Sequence, residues 1–285
     1  MKHFTQVGSS IGYGGNCEPR ADRVADRSGR TKLFRLSVAA MVLGSPALRI
    51  AEAQQCAAPT TIVGDRPGFL TGPTVLAMGS VQIESGWAMA RQSTSTVHAI
   101  GTMLLRLPVS CFAEVRFAAG GYMVSRAPSA ATSSGMADAY AGTKIRIAKG
   151  SGIRPHLAMF AGTTVPVGGA FSHNGAEPDA ALSALWDLPK GQSALAYTGL
   201  ASRVGAIGRE TERLSGVSWS VPLGTRAGTF VEASEFVRRN ARTRYLTTGL
   251  QLFPHATLQL DGTVSVPLPR AGSDINFGLG VSRRW

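Results

Sequence analysis

The chain of 285 residues carries 29 Lys and Arg against 17 Asp and Glu, a formal charge of +12, yet only 16% of its residues are charged and 34 are Gly. A typical soluble domain holds roughly 25% charged residues, so this composition argues against a charge-rich helical bundle, and 44% hydrophobic residues argue against disorder. The positives are scattered, with no RNP-like aromatic stretch, helix-turn-helix pattern or basic helix, so no nucleic-acid partner is expected.

Residues 1–29 are polar and rich in Gly and Arg. Residues 30–53 read as a secretory signal: Arg30, Lys32 and Arg35, an apolar core from Leu36 to Leu48, then Ala51-Glu52-Ala53 as a small-residue cleavage motif. That apolar run is too short for a bilayer-spanning helix, which needs roughly 20 residues. With a signal beginning at 30, residues 1–29 are an N-terminal extension explained by a start assigned too far upstream. Cys17, Cys56 and Cys111 are too few for a disulfide scaffold and lack a CxxC zinc spacing, so no metal and no cofactor is expected. In an oxidising compartment Cys56 and Cys111 are able to pair.

Residues 54–78 form an N-terminal segment with two open readings. Asp65, Arg66 and Pro67 belong to a plug folded into a barrel mouth, or to a tether in which Pro67 fixes an extended bend and Gly68 a turn.

From residue 79 onward the pattern is period-2 alternation in segments of about ten residues separated by turn residues, the signature of strands that cross a bilayer. Strands are expected near 79–91, 96–108, 111–124, 136–149, 153–166, 177–188, 191–203, 211–223, 225–238, 243–254, 256–267 and 274–285. In the first, Val81, Ile83, Trp87 and Met89 share one face and Gln82, Glu84 and Gly86 the other. Val217, Trp219, Val221 and Leu223 oppose Ser218 and Ser220, and Leu258, Leu260, Val264 and Val266 oppose Gln259, Asp261 and Ser265. A soluble β-sandwich would alternate too, but segments of 12 to 14 residues exceed the usual strand length of about 5–6. The expectation is therefore an all-β transmembrane antiparallel up-and-down β-barrel over 79–285, with about 12 strands.

Short junctions at 189–191, 222–225 and 253–255 fit one end of such a barrel, and longer connections near 125–135, 167–176, 204–212, 237–243 and 267–273 fit the other. The last strand, INFGLGVSRRW, places Phe277 and the terminal Trp285 on its apolar side. These two are expected to serve as the insertion signal read by the barrel-assembly machinery, with outer-membrane lipid as the surrounding partner. Closure would pair this strand with the first.

Ile62-Val63-Gly64-Asp65-Arg66-Pro67-Gly68-Phe69, followed by Gly79-Ser80-Val81-Gln82-Ile83-Glu84-Ser85-Gly86, resembles the outer-membrane transporter family named for the meta pathway of phenol degradation. Leu105-Arg106, Glu114-Val115-Arg116, Gly142-Thr143-Lys144 and Gly162-Thr163-Thr164-Val165-Pro166-Val167-Gly168 extend the resemblance in order along residues 62–285, although Gly64 stands where the family has Thr. The resemblance implies a Gram-negative outer-membrane channel or transporter for small solutes, aromatic or hydrophobic ones among them.

Parity turns Glu84, Arg106, Glu114, Arg116, Asp138, Lys144, Arg146, Asp187, Glu232 and Asp261 into the lumen as candidate pore-lining residues. Charges of both signs there would pair, because an unpaired charge in a partly dehydrated lumen is costly. They read first as a locking ion-pair network, with a selectivity lining for solutes as the functional alternative, and the same residues can serve both. No catalytic residues are expected. His98, His156, His173 and His255 fall at strand starts, turns or loops, and no nucleophile elbow occurs in a strand-turn-helix context. A structural or adhesive surface barrel without transport is the alternative, with an outer-membrane hydrolase a lesser one.

Overall fold

The computed structural model describes residues 59–285 except 129, 206–207, 240 and 270–273, together with a two-residue ladder between Lys2–His3 and Gly14–Gly15. The signal at 30–53, most of the extension before it, and Cys56 lie outside the described residues; Cys111 is disulfide-bonded.

The main sheet runs β1 (Gln82–Arg91), β2 (Thr96–Ser110), β3 (Ala113–Ala119), β4 (Tyr122–Ala127), β5 (Ala130–Met136), β6 (Ala139–Ala148), β7 (His156–Val165), β8 (Glu177–Asp187), β9 (Ser193–Gly205), β10 (Gly208–Pro222), β11 (Ala227–Arg238), β12 (Ala241–His255), β13 (Leu258–Leu268) and β14 (Ile275–Arg284). Every neighbour is antiparallel, and the sheet closes where β14 pairs with β1, from Ile275 opposite Arg91 to Arg284 opposite Gln82. Val81 and Trp285 extend the seam by exchanging backbone hydrogen bonds of 3.0 and 2.9 Å. Among the described residues this is a closed, twelve-stave, up-and-down barrel. The third stave is β3 with β4, and the fourth β5 with β6.

Those two broken staves differ from the uninterrupted strands expected over 111–124 and 136–149. The breaks lie on one line across the wall. β2 slips against β1 at Gly86/Trp87, where Gly101 adopts φ +68. The next stave turns at Gly120–Gly121, and the one after at Ala137–Asp138. Gly101 is an extra residue, so Ala99 and Thr102 both face inward despite their odd spacing. At Gly121, φ is +80 and a Cβ would stand 2.5 Å from the Ile100 carbonyl oxygen, so only glycine fits.

The connections also differ from expectation. The segment at 166–176 is long, but strands run on to 127, 205 and 238 and resume at 130, 208 and 241, so only two residues separate them where longer loops were anticipated. Ion pairs carry the ladders outward here: Arg238 Nε lies 2.7 Å from Glu210, and Arg203 Nε 2.9 Å from Glu212. At the other end β12 continues through Pro254 to His255 past an irregularity, and its turn falls at Ala256–Thr257.

Burial is inverted relative to a soluble protein. Met103, Phe117, Leu182, Leu200, Val217, Trp219, Leu250 and Leu279 are exposed, whereas Gln82, Glu84, Arg106, Glu114, Lys144 and Gln259 are buried. Each large aliphatic left in water forgoes about 1.5–3 kcal/mol, so an apolar band around the whole wall is stable only against lipid. No helix among the described residues is long and apolar enough to cross a membrane, so the staves do the crossing. The purified chain should require detergent and run as a faster band unboiled than boiled in semi-native electrophoresis; a detergent-free soluble product with no heat shift would refute the transmembrane barrel.

Candidate functional site: a lumen crossed by the N-terminal segment

Residues 62–76 have no strand partners, so their backbone groups must find other ones inside the barrel. They find charged side chains of the wall. Asp65 N–H donates to both Glu84 oxygens at 3.0 Å, and Arg66 N–H to Glu84 Oε2 at 3.1 Å. Leu76 N–H donates to Glu114 Oε2 at 3.0 Å. On the far wall, Phe69 and Leu70 N–H donate to Glu232 at 2.9 and 3.2 Å. The carbonyls are satisfied as well: Val63 accepts from Arg106 Nη1 at 3.0 Å and from Gln82 at 3.1 Å, and Thr74 accepts from Arg106 Nη2 at 2.8 Å and Lys144 at 3.0 Å. The segment therefore crosses the lumen from β1–β3 to β11. Gly68 permits the approach, since a Cβ there would overlap the Glu232 carboxylate.

Asp65 sits at the centre of a buried ion cluster. Its carboxylate is 2.6 Å from Arg116 Nη2, 2.7 Å from Lys144 Nζ and 3.5 Å from Arg106 Nε. Arg106 also grips Glu114 at 2.8 Å and Glu84 at 3.2 Å. Arg106, Arg116 and Lys144 thus balance Asp65, Glu84 and Glu114. Burial alone would raise the Asp65 pKa; Arg106, then Lys144 and Arg116, outweigh it and hold the carboxyl at about 2, below its ordinary 3.8. Its contribution to docking is consequently complete above the ordinary value and is lost as pH falls toward 2. Beside the cluster, Arg66 Nη2 donates to the Leu279 carbonyl at 3.1 Å and Nε approaches Asp261 at 3.5 Å. Gly86 and Gly280 leave room for that guanidinium.

The other half of the segment is held by packing. Phe69 and Leu70 join Phe160, Tyr197, Leu214, Phe236 and Tyr245 in one buried cluster inside the barrel. Phe69 meets Phe236 edge-on at 5.5 Å and Tyr245 at 5.3 Å. Phe160 also lies under both Arg116 and Lys144, at 5.6 and 5.4 Å, linking the two clusters through cation–π contact. The lumen thus has an apolar centre beside its ion cluster.

Of the ten candidate lining residues, Glu84, Arg106, Glu114, Arg116 and Lys144 converge on Asp65, while Glu232 and Asp261 meet the segment farther on. Asp138 lies apart, in the break between β5 and β6. It accepts from Val167 N–H at 3.3 Å, His173 N–H at 2.9 Å, His173 Nδ1 at 2.7 Å and the Ser172 hydroxyl, and so pins the 166–176 connection. Arg146 and Asp187 have inward parity but lie at the rim. Arg146 donates to the Cys111 carbonyl at 2.7 Å, and the Asp187 side chain is 73% exposed and bonded to His156 at 2.8 Å. Phe277 points outward, and Trp285 ends the closing seam beside Arg283. Parity reasoning missed Glu177, Arg203 and Glu212, in which Arg203 bridges both carboxylates at 3.1 and 2.9 Å.

Two cavities inside the barrel hold about 40 and 10 Å³. A water occupies about 30 Å³ in the liquid, so neither admits an aromatic ring. The larger, lined in part by Arg66, Phe69, Thr263, Phe277 and Gly278, backs onto a depression of about 640 Å³ on the outer surface. Trp87, Met89, Leu250, Val264 and Leu279 line that depression, and the two share Thr263, Phe277 and Gly278. The sheet separates them at Thr263, Phe277 and Gly278, where the Thr263 hydroxyl stands 2.7 Å from the place a Gly278 Cβ would take.

No family model and no curated protein matches this sequence. Among solved structures the chain is similar to an outer membrane channel from Pseudomonas putida F1, with a TM-score of 0.60 and 11% identity over 77% of this chain and 99% of that one. It is also similar to NanC porin, with a TM-score of 0.52 and 9% identity over 71% of this chain and 98% of that one. At such identities the likeness is one of fold: a transmembrane β-barrel.

Proposed function

We propose that this chain is an outer-membrane channel of a Gram-negative bacterium whose N-terminal segment, within residues 54–78, acts as a plug, and that it passes small aromatic or hydrophobic solutes. One observation carries the reading: the segment occupies the lumen between a balanced ion cluster around Asp65 and an aromatic cluster around Phe69. Wall side chains that bond a strandless segment form a seat for something that can leave it. The aromatic half of the lumen would be a suitable surface for an apolar ring. Membership of the phenol meta-pathway transporter family, suggested by the ordered motifs from Asp65 to Gly168, fits the same solutes. Phe277 and Trp285 on the closing strand remain our candidates for recognition by the assembly machinery.

Hydrolysis is disfavoured by geometry. Glu114 is neutralised by Arg106, Ser172 and His173 both bond Asp138 rather than each other, and His156 pairs with Asp187 at the opposite rim. An adhesive role is disfavoured by connections of only two residues between strands ending at 127, 205 and 238 and those resuming at 130, 208 and 241.

Breaking a buried ion pair by removing one partner costs about 3–5 kcal/mol, and truncating a buried Phe a similar amount, about 3–5 kcal/mol. Asp65→Asn and Phe69→Ala should therefore loosen the segment while the heat-shifted gel band persists. Chymotrypsin should cut Asp65→Asn after Phe69 in the folded barrel much faster than it cuts the native protein; equal protection would remove the plug. In planar bilayers the native protein should open rarely and both variants often, with phenol or benzoate altering the current; silence from all three would leave no channel to explain. In cells, loss of the chain should slow uptake of aromatic solutes more than of sugars of similar mass.

A further inference from the structure

The outward face is apolar along its middle, but on β10–β12, at the end away from Trp285, it becomes cationic in one patch. Arg213 lies opposite Val237, which in turn lies opposite Arg242; one rung nearer the middle, Glu235 lies opposite Arg244. The Glu235 carboxylate stands 2.9 Å from Arg244 Nε, 3.4 Å from Arg242 Nε and 3.5 Å from Arg213 Nη2. Three guanidiniums around one carboxylate leave two positive charges over. The carboxylate side chain is 23% exposed, whereas Arg213, Arg242 and Arg244 remain 49%, 55% and 54% exposed. One arginine would have neutralised Glu235. The other two repel each other unless an additional anion sits among them.

Directly beneath the patch the same three staves carry Val217, Val231 and Leu246, all exposed. The surface is thus cationic at the rim and aliphatic below, the outline of an amphiphile with an anionic head. Guanidinium forks match phosphate oxygens two at a time, and neighbouring strands about 4.8 Å apart put the three arginines around a space the size of one headgroup.

We propose that Arg213, Arg242 and Arg244 form a binding site for the phosphorylated headgroup of a glycolipid in the surrounding leaflet, with its acyl chains lying on Val217, Val231 and Leu246. The proposal rests on the outer-membrane location proposed above, with the arginine-bearing end of the barrel in the outer leaflet, but not on channel activity. Glu235 positions the three side chains rather than contacting the lipid.

Full-length protein in detergent, titrated with bisphosphorylated lipid A and followed by native mass spectrometry, should retain the lipid. The triple variant R213Q/R242Q/R244Q should bind it about tenfold or more weakly, given the attraction each arginine exerts near an anionic surface. E235Q, which removes the competing carboxylate, should bind at least as tightly as the native protein. Fully dephosphorylated lipid A should bind the native protein no better than it binds the triple variant. Equal retention of bisphosphorylated lipid A by native and triple variant would overturn the site, as would equal binding of the two lipid forms by the native protein. Displacement by millimolar inorganic phosphate would mark a simple anion site and overturn the lipid assignment. Folding is checked by the heat-shifted band, and if the triple variant fails it, R242Q alone must show a severalfold loss. The conductance of Asp65→Asn in the same preparations tests the channel reading separately, so either can fail without the other.

Discussion

The pairing of β14 with β1 is the constraint from which the rest follows. Hydrocarbon offers no partner for a backbone amide, so a sheet that enters lipid must leave no edge. Closure in register, from Ile275 against Arg91 to Trp285 against Val81, satisfies the last strand's amides and fixes which side chains face in. Once the register is set, alternation does the sorting: aliphatics to the lipid, polar groups to a lumen too narrow to hydrate them all. Arg106, Lys144, Glu84 and Glu114 are fully enclosed and would be ruinous singly. They are stable because successive antiparallel pairing sets β1, β2, β3 and β6 side by side, so that each charge has an opposite within reach.

The N-terminal segment completes what closure leaves unfinished. Buried ion clusters stabilise only when the remaining donors and acceptors are also satisfied. Here Arg106 spends two nitrogens on Glu114, one on Glu84, and shares them with the carbonyls of Val63 and Thr74. Without Asp65 the three cations would face two carboxylates. On the far wall Glu232 would lose both N–H donors it receives from Phe69 and Leu70, and Asp261 would lose Arg66. The wall and the segment are therefore complementary in charge, backbone hydrogen bonding and packing at once.

How much of this could be read in advance depended on what kind of information alternation carries. Parity is a statement about faces, and it sets apart Glu84, Arg106, Glu114, Arg116 and Lys144, which are buried, from Ile83, Val115 and Ile145. It carries nothing about depth, which is why Asp187 and Arg146 share the inward parity yet end at the rim. It also tolerates slips. The extra residue at Gly101 and the turn at Gly120–Gly121 each reverse the phase, but the half-strands on either side alternate well enough to read as one. Glu177, Arg203 and Glu212 fall at or next to the ends of the expected strands 177–188, 191–203 and 211–223, where alternation says least about which face a side chain takes. The aromatic cluster was missed for a different reason: Phe160, Tyr197, Phe236 and Tyr245 occupy the polar-phase positions of their strands, and apolar residues there blur alternation instead of announcing a core.

For the channel proposed above, that aromatic cluster decides what kind of opening is physically reasonable. A segment held only by the ions around Asp65 would be released by any solute or salt that competed for the arginines. One held only by Phe69 and Leu70 could be displaced by an apolar ring. Because the two anchors lie on opposite walls, an apolar solute entering near Phe236 and Tyr245 weakens one anchor and leaves the other intact, so the segment would pivot about Asp65 rather than leave the barrel. Its backbone at 68–70 would then swing free of Glu232 while residues 63–66 kept their bonds to Glu84 and Arg106. Motion of that kind needs no strand to unpair, which is the one change the surrounding lipid forbids.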